Sequence, residues 1–103
     1  MSYRMLAEAY DELRAAAEYY DDHRTGLGNE FLDVFAARIV DVVSAPVRFV
    51  RIKARGIRLE LRQANLERFP YSVIFHSSGG VTVVVAVAHH KRRPNYWRRR
   101  LQN

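Results

Sequence analysis

The sequence has 103 residues, 49% of them hydrophobic and 27% charged, the balance of one folded globular domain rather than a disordered chain. It holds no cysteine, which excludes disulfides, thiolate metal sites and a cysteine nucleophile and makes a reducing cytoplasm the expected setting. The net charge of +6 is lopsided: residues 1–45 sum to −5, residues 46–88 to +5 and residues 89–103 to +6. A basic surface built mostly from arginine is therefore expected on the second half, suited to an acidic partner or to nucleic acid. The longest apolar run, Val83 to Ala88, is too short to cross a bilayer, and no export signal opens the chain, so no membrane role is expected.

Ser2 to Leu6 reads as a short strand. From Ala7, apolar residues Ala9, Leu13, Ala16 and Tyr20 recur at three- and four-residue spacing, which predicts a helix to about Asp22. Glu8, Asp11, Glu12 and Glu18 fall on its outer faces. Gly26-Leu27-Gly28 breaks the pattern. Leu27, Phe31, Val34, Phe35, Ile39 and Val42 then define a second helix, and Ser44-Ala45-Pro46 stops it. The two form an antiparallel helical hairpin whose apolar sides need a further layer.

Residues 47–60 read as a loop, with a short strand at Ile57 to Leu61 at its end. A strand is predicted from Arg62 to Phe69, broken by Pro70, and another from Tyr71 to His76. Ser77-Ser78-Gly79-Gly80 is a hairpin loop. Val81 to Ala88, with five valines, predicts a central strand buried on both faces. The expected class is α+β, a helical hairpin on a small antiparallel sheet in the order β-α-α-β-β-β.

Ala15 to Tyr20, Gly26-Leu27-Gly28 followed by Phe31, Arg68-Phe69-Pro70-Tyr71, and an ending His89, Arg92, Pro94, Tyr96, Trp97, Arg100 occur in that order. This ordered set resembles the RelE/ParE toxin superfamily, closer to its ParE-like, plasmid-stabilisation members, over residues 1–103. The resemblance implies a cytoplasmic toxin of a type II toxin–antitoxin system. Its antitoxin is expected to be acidic, partly disordered and of ribbon-helix-helix type. ParE-like members poison DNA gyrase without nuclease activity; RelE-like members cut messenger RNA on the ribosome.

Metal-independent RNA cleavage needs a base for the 2′-hydroxyl, cations for the phosphorane and an acid for the leaving oxygen. Arg68, His89 and Tyr96 are the candidates for such roles, with Lys53, Arg55, Arg62 and His90 nearby in the pattern. Against them, His89 and His90 are adjacent at a strand end and should point to opposite faces. Tyr96 and Trp97 suit buried anchors that fold the ending onto the helices. Arg68 suits a structural tie to Glu18 or Asp22. The binding reading therefore leads, with Arg55, Arg62, Lys91, Arg92, Arg93, Arg98, Arg99 and Arg100 as the surface that meets the antitoxin or target. His23 and His76 lack clustered partners at ligand spacing, so no metal is expected. Gly26-Leu27-Gly28 lacks a nucleotide fingerprint, and no cofactor is expected. A plain basic module binding nucleic-acid duplexes is the weakest alternative.

Overall fold

The computed structural model describes residues 2–102. Strand β1 (Ser2–Met5) leads into helices α1 (Ala7–His23) and α2 (Leu27–Ser44). A 3-10 turn at Pro46–Arg48 precedes β2 (Val50–Ile52), β3 (Leu61–Asn65), β4 (Tyr71–Ser78) and β5 (Val81–His89), and a 3-10 helix, Tyr96–Leu101, follows. The strands form one sheet in the order β1-β5-β4-β3-β2. No helix among the described residues is long and apolar enough to cross a membrane.

The expected layers are present: two helices on a sheet, with Val81–His89 buried in its interior. The sheet is mixed, however. β2 to β5 pair antiparallel, while β1 lies parallel to β5 with Ser2 opposite Val81 and Met5 opposite Val84. A parallel neighbour needs a long crossover, and the helical hairpin provides one. Two strand boundaries also differ from expectation. The strand expected at Ile57 to Leu61 lies earlier, at Val50–Ile52, and residues 53–60 form the loop. β3 stops at Asn65 rather than Phe69, because Arg68 takes a left-handed φ of 69° and Pro70 has no N–H to donate. At the other hairpin, Gly79 and Gly80 have φ of 57° and 81°, the two positive values that a tight two-residue turn demands.

The sheet has an apolar core on each face. Ala9, Leu13, Ala16, Phe31, Phe35, Ile39 and Val42 of the helices pack on Ala64, Val73, Phe75, Val84 and Val87. Tyr20, Phe31, Phe69 and Tyr71 meet edge to face or tilted, with ring centres 4.8 to 6.2 Å apart. Burial pushes the Tyr20 and Tyr71 hydroxyls up from their usual pKa. The far face carries Leu61, Ile74, Val85 and Ala86, covered by Trp97 and by Ala54 of the 53–60 loop.

The helical hairpin closes tightly. Asp21 Oδ1 accepts hydrogen bonds from the N–H groups of Gly26 (2.9 Å) and Gly28 (3.2 Å). This satisfies donors that the start of α2 leaves unpaired. A Cβ at Gly28 would overlap the carbonyl oxygen of Ala17 and lie 3.1 Å from Cβ of Asp21. Gly28→Ala is therefore expected to lower the unfolding free energy by about 1–3 kcal/mol, measured by urea denaturation; unchanged stability would show that the helices part freely.

Candidate functional site

β1 covers β5 only from Val81 to Val84. Beyond that point β5 has no strand on this side, and its backbone groups need other partners. A bulge sharpens the problem: Ile74 pairs with Ala86 but Phe75 pairs with Val84, which leaves Val85 extra. Two long-range side chains supply the partners. Glu12 Oε1 accepts from the Val87 N–H at 3.0 Å, and Arg100 Nη1 donates to the Val85 carbonyl at 3.0 Å.

The same two side chains grip each other. Arg100 donates through Nη1 to Glu12 Oε1 at 2.8 Å and through Nη2 to Oε2 at 2.9 Å, a bidentate fork. Only 15% of the Arg100 side chain and 17% of the Glu12 side chain remain exposed, so solvent screens the pair weakly. The Tyr96 hydroxyl donates to Glu12 Oε2. The Arg92 guanidinium lies 3.8 Å from the centre of the Tyr96 ring and that of Arg100 lies 5.2 Å away. Burial, and then the bond to Glu12, pushes the Tyr96 hydroxyl far above its usual pKa. The bond to Glu12 likewise raises Arg100.

The ending therefore spans both sides of the sheet. Tyr96 reaches α1 as expected, but Trp97 packs against the far face rather than the helices. The bulge at Val85 explains this, because it interrupts the alternation of faces along β5. Val85 and Ala86 present their side chains away from the helices, and the chain turns back across that face after β5, with Asn95 at φ 61°.

The candidate site residues separate into two groups. Arg62 donates to the carbonyls of Phe49 (2.7 Å) and Val47 (3.4 Å) and pairs with Glu60 at 2.7 Å. It ties the chain before β2 to the sheet. Arg100 is the latch to Glu12. Both are internal braces rather than members of an open basic face. Arg68 is also a tie, but to Glu30 of α2 at 2.8 Å rather than to Glu18 or Asp22. Its positive φ turns the side chain toward the start of α2, where Glu30 is held below the usual carboxylate range chiefly by that bond. In contrast, Arg55, Lys91, Arg92, Arg93 and Arg99 are exposed and Arg98 is half-buried. None of these six has a carboxylate within ion-pair distance among the described residues.

The two histidines do part. His89 stands edge-on to the Tyr71 ring at 4.9 Å, on the helix side, and its Nδ1 accepts from the Lys91 N–H at 3.0 Å. The His90 Nε2 lies 2.9 Å from Ser72 Oγ, on the far side. There an open groove of about 690 Å³ runs between the sheet and the 91–97 segment. Gln63, Asn65 and Ser72 line it together with Lys53, His89, His90, Arg92, Arg93 and Tyr96. Arg68 does not line it. Among the described residues no cluster of His, Asp and Glu is set to hold a metal ion.

No protein-family model and no curated protein matches the chain. Among solved structures, a chain described as the chromosomal ParDE TA system from P. aeruginosa superposes with a TM-score of 0.71 at 16% identity. The superposition covers 86% of this chain and 95% of that one. The chain shares the α+β fold of that ParDE-system chain.

Two expectations follow from the latch. Glu12→Ala should destabilise the protein by about 3–5 kcal/mol in urea unfolding, because it leaves Arg100 charged, half-buried and unpaired; a loss within experimental error would show that the ending holds on Trp97 alone. Tyr96 binds its proton more tightly folded than unfolded. Its contribution is thus complete below the ordinary tyrosine pKa and is lost as pH rises above it. Melting temperatures measured from neutral to strongly alkaline pH should fall less steeply in Tyr96→Phe than in the native protein.

Proposed function

We propose that this chain is the toxin of a type II toxin–antitoxin pair, that it inhibits DNA gyrase by binding in the manner of ParE-like toxins, and that a cognate antitoxin neutralises it in the cytoplasm. The observation that carries the reading is the match of nearly the whole fold to a chain of a ParDE system. The side chains favour gripping over proton transfer. Arg68 is committed to Glu30, the Tyr96 hydroxyl to Glu12, and the His89 Nδ1 to the Lys91 N–H. A nucleolytic centre needs its acid, base and cations within reach of one phosphate. The exposed cations Arg55, Lys91, Arg92, Arg93, Arg98 and Arg99 suit an acidic segment, and the antitoxin is the partner expected to bring one that orders on contact.

A second reading, ribosome-dependent cleavage of messenger RNA, is favoured by one observation: His90 shares the groove with Lys53 and Arg93. An imidazole among cations has the elements of 2′-hydroxyl activation. One paired assay separates the two. Purified protein should abolish gyrase supercoiling, leave messenger RNA intact in a translating extract, and lose its effect when the antitoxin is added. Supercoiling untouched at saturating protein overturns the gyrase reading; cleavage that disappears in His90→Ala establishes the second.

A further inference from the structure

A cleft of about 250 Å³ opens on the helix side of the sheet, at the part of β5 that β1 does not cover. Ala15 and Ala16 of α1 and Val87 of β5 give it an apolar lining, and Tyr19 and Tyr71 an aromatic one. Neighbouring rings hold both tyrosines in place. Tyr71 stands edge-on to Phe31 at 5.2 Å and to His89 at 4.9 Å. Tyr19 meets Tyr20 at 5.3 Å and His23 at 4.3 Å. The cleft is distinct from the groove across the sheet, although His89 and Arg92 border both.

The polar groups around this lining are unspent donors and one spent acceptor. Glu12 is fully engaged: Oε1 accepts from Val87 and Arg100, and Oε2 accepts from Tyr96 and Arg100. The His89 Nδ1 accepts the Lys91 N–H, so the neutral ring carries its proton on Nε2 as a donor. The Tyr19 and Tyr71 hydroxyls have no partner among the described residues. Arg92 has no carboxylate within ion-pair distance, and its stacking on the Tyr96 ring steadies the guanidinium beside the cleft. Glu8 and Glu18, the flanking acids of α1, are exposed and screened by water.

Donors set around an apolar lining, with no carboxylate free to compete, complement an anionic acceptor on an apolar body. A bare phosphate would leave the lining unfilled. The volume of about 250 Å³ suits a single residue-sized group. We propose that this cleft binds a carboxylate carried on one aliphatic or aromatic body, the chemistry of a polypeptide's C-terminal residue or of a free monocarboxylic acid. Arg92, the His89 Nε2–H and the Tyr71 hydroxyl take the carboxylate. Ala15, Ala16 and Val87 take the body. The site does not depend on which target the toxin has.

The test is an amide NMR titration of the isotope-labelled full chain with N-acetyl-leucine, its amide, acetate and a short peptide ending in a free-acid leucine. N-acetyl-leucine should shift the signals of Ala15, Ala16, Val87 and His89. It should bind about tenfold more tightly than its amide, which lacks the charge, and than acetate, which lacks the body. Arg92→Ala should remove the advantage of acid over amide and leave the weak amide binding unchanged. Ala15→Leu, at an exposed helical position that leucine suits, fills the cleft and should abolish the shifts. Tighter binding of the peptide than of N-acetyl-leucine assigns the site to a polypeptide terminus, and equal or weaker binding assigns it to a free acid. The proposal is overturned if the amide or acetate matches N-acetyl-leucine. It is equally overturned if the shifts fall only on Gln63, Asn65 and Ser72 across the sheet, or if no probe shifts any signal at millimolar concentration.

Discussion

The structure depends on how the outer edge of β5 is closed. β1 covers the first four residues of that edge and then the chain departs into α1. A central, valine-rich strand would be left with bare amides beside the core. Glu12 and Arg100 cap it from two directions and neutralise each other in doing so. One carboxylate thereby joins helix, sheet and C-terminal segment. Because each partner is mostly buried, each needs the other, and the ending is held by chemistry as well as by the packing of Trp97.

This closure divides the arginines into two populations. Arg62, Arg68 and Arg100 brace carbonyls and carboxylates within the protein. Arg55, Arg92, Arg93, Arg98 and Arg99 lack acidic partners among the described residues and give the second half its outward charge. The bracing set ties down the segments that carry those side chains. Cations on a folded segment cost less backbone entropy on meeting a partner than those on a free basic tail would.

The helical hairpin was legible because Leu13, Phe31, Phe35 and Ile39 repeat with a helical period and glycine and proline mark the ends. The valines of β5 likewise declared a buried strand. β2 was hidden because Val50 is exposed and only three residues pair, too few for an alternation to register. The parallel pairing of β1 was hidden because it is set by tertiary docking between chain ends. The site was less legible than the fold. Glu12 looked like one more outer-face acid on α1, and only its position beside Leu13 on the buried stripe hinted otherwise. Gln63, Asn65 and Ser72 carry no charge and form no motif; strand pairing, with Asn65 opposite Ser72, brings them together.

The reach of the latch also bears on when the molecule takes shape during synthesis. Glu12 waits for a partner 88 residues later, and β1 waits for β5. While residues 89–102 are still inside the ribosomal tunnel, the chain can form its helical hairpin but cannot seal the sheet edge. Completion is deferred until Arg100 has emerged, so the sheet edge and the C-terminal segment are fixed in one step.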